Sequence, residues 1–164
     1  MTSIFGGTLQ SEVSCLNCKL SSKKHDPFLD LSIDIPSTFI QYRKAKDPED
    51  KLRQQCTLYD CLQKFVDVEL LEESERFFCN NCKNKQRSTK KFWIRRLPNV
   101  LCLHIKRFRW SPYSRTKIDT HVNFPLHGLD MSEYLLSNLH ETRCSNSGSS
   151  LYDLAAVIVH HGSG

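Results

Sequence analysis

Apolar and polar residues alternate most regularly from Phe28 to Ile35. Leu29, Leu31, Ile33 and Ile35 fall on one face, and Asp30, Ser32 and Asp34 on the other. A period of two marks a half-buried strand, and Pro36 stops it. Phe5–Val13 predicts an earlier short strand, entered through a bend at Gly6-Gly7, and the polar Ser21–Lys24 predicts a turn. Leu58, Cys61, Leu62 and Phe65 then recur at helical spacing. Thr57 stands where a helix cap belongs, with Asp60 at the reciprocal capping position. Cys56 and Cys61 are therefore read as packing residues.

Beyond Gln86 the pattern returns to strands. Lys90–Leu97 is long, basic and aromatic, and Pro98-Asn99 breaks it. Val100–Ile105 is apolar enough for a strand buried on both faces, with Cys102 and His104 in the core. Arg107–Thr116 reads as a loop rich in aromatic and basic residues, and Lys117–Phe124 as a strand closed by Pro125. Leu126–Leu136 reads as a connector with helical character, and Leu151–Val159 as an apolar central strand. Gln41–Gln55 is charged and aperiodic, and His140–Ser150, which carries Cys144, is polar, so both read as exposed loops. The whole is an α+β fold, rich in β structure.

Composition narrows the class. The chain has 164 residues, 39% hydrophobic with nine Phe, enough for a core in one domain or part of a larger one. No run approaches the roughly 18 apolar residues of a membrane span. Met1–Phe5 lacks a basic and apolar leader, so no secretory signal is expected. Net charge is +5, with basic clusters at Arg87–Arg96 and Lys106–Lys117 and an acidic one at Glu69–Glu75. Such mixed blocks suit an ordinary solvated surface or a partner of mixed charge.

The eight cysteines add the most chemistry. Cys15-Leu16-Asn17-Cys18 and Cys79-Asn80-Asn81-Cys82 are two C-x-x-C knuckles, and together they supply the four sulfurs of a closed structural zinc site. One zinc ion bound by both would clip the ends of a long excursion, offsetting the entropy of closing it. Four cysteines without a base beside them form a structural centre, so the zinc alone does not imply an enzyme. Cys56, Cys61, Cys102 and Cys144 lack a setting that would lower a thiol pKa, and spacing assigns no cysteine or carboxylate to His160 and His161. A zinc ribbon with basic aromatic strands raises nucleic-acid binding, but the acidic segment beside the second knuckle and the small net charge speak against it.

Five stretches in order resemble a known family: the distant C-x-x-C pair, Asp26-Pro-Phe-Leu-Asp-Leu-Ser-Ile-Asp-Ile-Pro36, Leu97-Pro-Asn-Val-Leu-Cys-Leu-His-Ile-Lys-Arg-Phe108, Val122-Asn-Phe-Pro125, and Tyr152-Asp-Leu-Ala-Ala-Val-Ile-Val-His-His-Gly162. The chain resembles the C-terminal part of a ubiquitin-specific protease, a papain-like cysteine deubiquitinase, and is most similar to histone-directed members. That resemblance implies a right-hand fold. Residues 1–90 would form the fingers, with a zinc-ribbon fingertip held by Cys15, Cys18, Cys79 and Cys82. Residues 91–164 would form part of the palm, with the thumb and the C-terminal palm strands outside the chain. No catalytic residue carries over, because the family's cysteine, asparagine and histidine boxes match nothing here; His160 and His161 correspond to the strand end and loop before the catalytic histidine.

Recognition does carry over. Glu69 matches an acidic segment that meets arginines near ubiquitin's tail. Arg109 and Trp110 lie in the first loop bordering the tail channel, and His161 begins the second. The implied partners are ubiquitin and ubiquitinated proteins, histones among them, with no membrane and no nucleic acid. The implied location is nuclear or cytoplasmic, with the nucleus favoured. The other readings are a non-catalytic ubiquitin-binding isoform and a zinc-ribbon nucleic-acid binder.

Overall fold

The computed structural model describes residues 2–41, 55–110, 115–136 and 150–162. The elements in chain order are α1 (Thr2–Phe5), β1 (Gly7–Cys15), β2 (Ser21–Phe28), β3 (Leu31–Asp34), α2 (Ser37–Gln41), β4 (Cys56–Thr57), α3 (Leu58–Val66), β5 (Glu69–Leu70), β6 (Phe77–Cys79), β7 (Asn84–Gln86), β8 (Ser88–Arg96), β9 (Leu103–Lys106), β10 (Phe108–Trp110), β11 (Arg115–Lys117), β12 (Val122–Asn123), β13 (Leu129–Asp130) and β14 (Leu151–Tyr152). The α+β, strand-rich class is as expected. Two compact units emerge, neither a continuous run of chain: Met1–Asp30, Val66–Leu101 and Tyr134–Ser147 in one, Leu31–Phe65, Cys102–Glu133 and Gly148–Gly164 in the other. The division expected from the resemblance is instead a single cut after residue 90.

The first unit is built on an antiparallel sheet in the order β2-β1-β8-β5. The strand expected from Phe5 begins at Gly7, because Thr2–Phe5 winds into one helical turn closed by the Gly6 N–H on the Thr2 carbonyl. Gly7 faces Phe28 in the register, and a Cβ there would run into the Phe28 ring. The turn expected at Ser21–Lys24 is not found. Those residues open β2, pairing Ser14↔Ser21 through Gly7↔Phe28. β2 is an edge strand, so its polar residues need no buried face, and its lysines and Pro27 suit an edge. The second long strand, β8, lies where the basic aromatic run predicts it. Ile94 is fully buried, and Gln10 and Ser88 are buried polar residues of the same sheet.

In the second unit β3 pairs in parallel with β9, Leu31↔Leu103 through Asp34↔Lys106. Leu31, Ile33 and Ile35 are buried as the alternation predicts, but Leu29, at 47% exposure, precedes the strand and stays outside the core. The strand expected from Val100 to Ile105, buried on both faces, is corrected to Leu103–Lys106. Val100 and Cys102 are exposed before it begins, and His104 is exposed, sharing a 3.0 Å hydrogen bond with the Ser32 hydroxyl. Within the strand itself Leu-His-Ile-Lys alternates, which the apolar residues before it had obscured.

The Thr57 helix start is present as read. The Thr57 N–H and hydroxyl both donate to Asp60 Oδ2, at 2.7 and 2.6 Å, and the Asp60 N–H returns a bond to Thr57 Oγ1 at 3.2 Å. This box opens α3, which buries Leu58, Cys61, Leu62 and Val66. Cys56 and Cys61 are buried packing residues, their sulfurs 3.7 Å apart.

Four later expectations change. Within Arg107–Thr116 the described residues pair as a hairpin, Phe108↔Lys117 through Trp110↔Arg115. Of Lys117–Phe124 only Val122–Asn123 is a separate strand, parallel to β4. The Arg107 guanidinium donates to the Ile118 and Thr120 carbonyls, which bends the intervening chain away from a straight ladder. Leu126–Leu136 contains β13 and one 3₁₀ turn, Ser132–Tyr134, in place of a helix. The central strand expected at Leu151–Val159 shrinks to β14 on β13. Beyond it Leu154, Val157, Ile158 and Val159 are exposed, Ile158 fully, because no described strand pairs with them. Expectations for residues 42–54 and 137–149, Cys144 included, lie outside the described residues.

Candidate metal centre and recognition surfaces

Each knuckle is the turn of a hairpin in the first unit. Cys15 ends β1, and the Lys19 N–H closes the turn on the Cys15 carbonyl at 2.9 Å. Cys79 ends β6, and the Lys83 N–H closes the matching turn on the Cys79 carbonyl at 2.8 Å. Lys19 and Lys83 both take left-handed backbone angles, φ 62° and 55°. β8 joins the hairpins: Cys15 faces Ser88 in the register, and the Leu16 N–H donates to the Arg87 carbonyl at 2.9 Å.

The four sulfurs of Cys15, Cys18, Cys79 and Cys82 lie within 4.8 Å of one another. Cys18 and Cys79 are 3.4 Å apart, and Cys15 and Cys82 are 4.0 Å apart. Tetrahedral zinc with sulfur ligands at about 2.3 Å places its sulfurs about 3.8 Å apart. The observed spacings bracket that value, so the donor set fits one zinc ion. Cys15 and Cys79 are buried, while Cys18 and Cys82 are half-buried.

Electrostatics separates the sulfurs of the cluster. Cys18 is pushed down to about 6, first by the Leu20 backbone N–H and then by the Asn81 side chain, with the Cys79 and Cys82 thiols assisting against desolvation. Cys82 is pushed up to about 11: the Asn17 amide holds it down, but desolvation and the thiols of Cys18, Cys79 and Cys15 outweigh that. The first negative charge thus settles on Cys18, while Cys82 keeps its proton.

Asn17 and Asn81 were not singled out by the sequence reading. The signal was present: each knuckle repeats Cys-x-Asn-Cys-Lys, with the asparagine before the second cysteine. Asn17 Nδ2 donates to Cys82 Sγ at 3.4 Å, and the Asn81 side chain acts electrostatically on Cys18, favouring its thiolate.

The residues marked for recognition fall in both units. Glu69 is exposed on β5, opposite Lys90 of β8. Lys90, with Ser11, Phe77 and Phe92, lines an open groove of about 490 Å³ on one face of the first unit's sheet. Lys90 lies 4.7 Å from the Phe92 ring centroid. Arg109 and Trp110 sit in β10, facing Thr116 and Arg115, and the Arg109 side chain is exposed. His161 is exposed. Its neighbours are tied to the hairpin: the Lys117 ammonium donates to the His160 and Gly162 carbonyls at 3.1 and 2.6 Å. The Phe108 and His160 rings also meet edge-to-face at 5.3 Å.

The sequence profile described as ubiquitin carboxyl-terminal hydrolase matches residues 1–164, the whole chain. The chain belongs to the ubiquitin carboxyl-terminal hydrolase family. It is 57% identical over 164 residues to ubiquitin carboxyl-terminal hydrolase 3 of Homo sapiens, covering 100% of this chain and 30% of that protein. It is 35% identical over 176 residues to ubiquitin carboxyl-terminal hydrolase 22 of Homo sapiens, covering 97% of this chain and 33% of that one. Among solved structures it is similar to a chain of the SAGA Ubp8/Sgf11/Sus1/Sgf73 DUB module bound to ubiquitin aldehyde. The TM-score is 0.70 at 30% identity, covering 98% of this chain and 32% of that chain. This hydrolase-family chain therefore spans about a third of the length of the relatives it matches. The resemblance to ubiquitin-specific proteases read from the five motifs is borne out at the level of the family.

Proposed function

We propose that this chain is the ubiquitin-recognition part of a cysteine-type deubiquitinase. The observation that carries the reading is the family match along all 164 residues, with 57% identity to ubiquitin carboxyl-terminal hydrolase 3. In the intact enzyme the reaction is hydrolysis of the isopeptide bond after ubiquitin's C-terminal glycine. A His-activated thiolate attacks, and water releases the acyl-enzyme. None of this chain's residues matches that nucleophile or its base, so the chain alone binds and does not cleave.

Residues 1–90 act as the fingers and 91–164 as part of the palm. Cys15, Cys18, Cys79 and Cys82 hold one structural zinc ion, which supplies a rigid, redox-inert cross-link between the two knuckle hairpins. Glu69 meets basic residues near the ubiquitin tail. Arg109, Trp110 and His161 border the tail itself, as an extended peptide held at a sheet edge. The exposure of Glu69, Arg109 and His161, and the tie from Lys117 to the segment around His161, support these roles. The site of action is nuclear or cytoplasmic, with the nucleus favoured, and the ubiquitinated proteins include histones, a reading that rests on the motif resemblance to histone-directed members of the family. No helix among the described residues is long and apolar enough to cross a membrane.

NMR titration of the zinc-loaded chain with ubiquitin tests the reading. Shifts at Glu69, Arg109, Trp110 and His161 are expected. Unchanged spectra at millimolar ubiquitin, or thiol-dependent turnover of a ubiquitin C-terminal fluorogenic substrate by this chain alone, overturn it.

A further inference from the structure

The four sulfurs are unequal in a regular way. The first cysteine of each knuckle, Cys15 and Cys79, is buried; the second, Cys18 and Cys82, is half-open to solvent. Burial shields the first pair from water, electrophiles and competing chelators. The second pair is where a thiolate would be protonated, attacked or detached first, because ligand loss begins at an accessible sulfur. Those two sulfurs are the ones the asparagines reach. Asn17, in the first knuckle, donates to Cys82 of the second, across 65 positions of chain. Asn81 holds the same position of the same motif in the second knuckle, and its side chain acts on Cys18 of the first. The pattern is reciprocal, and it follows from one local design used twice. In Cys-x-Asn-Cys-Lys the left-handed lysine turns the backbone back on itself, and the asparagine projects across the cluster. Asn80, exposed in the second knuckle, makes no sulfur contact among the described residues.

We propose that Asn17 and Asn81 are a crossed pair of positioning residues that cover the two solvent-facing sulfurs of the metal centre and set how fast the metal leaves. The inference rests on the zinc reading above. Four thiolates around one divalent cation carry a net charge of minus two. Amide N–H donors on the accessible sulfurs draw off part of that charge and hold each thiolate in its ligand position. The donors also cross from one knuckle to the other. Detaching Cys18 therefore breaks a contact with the second hairpin, and detaching Cys82 breaks one with the first. Metal loss from either side is resisted by both hairpins.

The test uses the full chain. Loaded with an NMR-active cadmium isotope, the wild-type chain should show scalar coupling between the metal and the side-chain amide protons of Asn17 and of Asn81, carried through the N–H···S bonds. Loaded with zinc, the Asn17→Leu, Asn81→Leu double variant should release metal to a chromophoric chelator about 10-fold faster than wild type, with Asn80→Ala unchanged. With cobalt in the site, its sulfur-to-metal charge-transfer band should move to lower energy, since the sulfurs lose donors. Coupling at both asparagines supports the proposal even if the double variant fails to fold. One metal per chain without that coupling, or release rates within about twofold of each other, overturns it and leaves the zinc reading standing. A wild-type chain that binds no metal overturns both.

Discussion

Lys19 and Lys83 hold nearly the same left-handed backbone angle, each one residue after the second cysteine of its knuckle. A side chain in that region crowds its own carbonyl, at a cost of about 1–2 kcal/mol, whereas glycine is free of it. Glycine loses more freedom on folding, which returns about 0.5–1 kcal/mol of the difference. Lys19→Gly and Lys83→Gly should therefore each stabilise the zinc-loaded chain by about 0.5–1 kcal/mol. Urea unfolding monitored by circular dichroism checks this. Destabilisation by either variant would mean that the lysine charge beside the thiolates outweighs the backbone term.

Cys79→Ala removes one of the two buried sulfurs of the four-cysteine centre. Zinc content measured by atomic emission should fall well below one ion per chain, and amide exchange in β6 and β7 should accelerate. Zinc remaining at one per chain would show that the four-sulfur assignment is wrong.

The Thr57–Asp60 box predicts a local loss. Thr57→Ala removes the hydroxyl that accepts from the Asp60 N–H and donates to the Asp60 carboxylate. A loss of about 1 kcal/mol is expected, seen as a lower urea midpoint with an unchanged slope.

What could be read from sequence was what is encoded locally. The capping box lies within four residues, each knuckle within four, and the alternation of Leu31, Ile33 and Ile35 within five. What could not be read depends on a distant partner. Ser21–Lys24 looks like a turn because its strand character comes from lying beside β1, and an edge strand may be polar throughout. Val100–Cys102 and Val157–Val159 look like core strand because they are apolar, yet a strand ladder decides, and neither stretch belongs to a described strand. The four ligand candidates could be read as two pairs, whereas the crossed asparagines show only when the knuckles face each other.

Thiol chemistry separates the remaining cysteines. Burial pushes Cys61 up from 9.0 to about 12 and raises Cys56 in the same direction. Among the described cysteines of the zinc-loaded chain, Cys102, exposed before β9, should alkylate first and Cys61 last, as peptide mapping by mass spectrometry would show. The linkage has a definite sign. A folded-state pKa above the unfolded value means that the native state keeps its proton longer, so this contribution is intact below pH 9 and is lost as pH rises towards 12. Cys61→Ala should lower stability at neutral pH through the cavity it leaves, and flatten the alkaline decline. An alkaline decline equally steep in that variant would place the titrating group elsewhere.

The exposed apolar run after β14 predicts a surface property. Leu154, Val157, Ile158 and Val159 present side chains to water along one short stretch. The isolated chain should bind a hydrophobic dye and aggregate as its concentration rises, and Val157→Lys with Ile158→Lys should reduce both effects without lowering zinc content. Light scattering and dye fluorescence on the two proteins decide it.

The interleaving of the first unit has a consequence for how the chain is made. β1 and β2 leave the ribosome with Cys15 and Cys18, but β8, the other neighbour of β1, and the second knuckle follow only after the second unit's first segment has been synthesised. At roughly 5–20 residues per second, the first hairpin waits several seconds with half a metal site. Two thiolates cannot by themselves close a tetrahedron, so the nascent hairpin carries half of the four-sulfur donor set, exposed to oxidation, until Cys82 emerges.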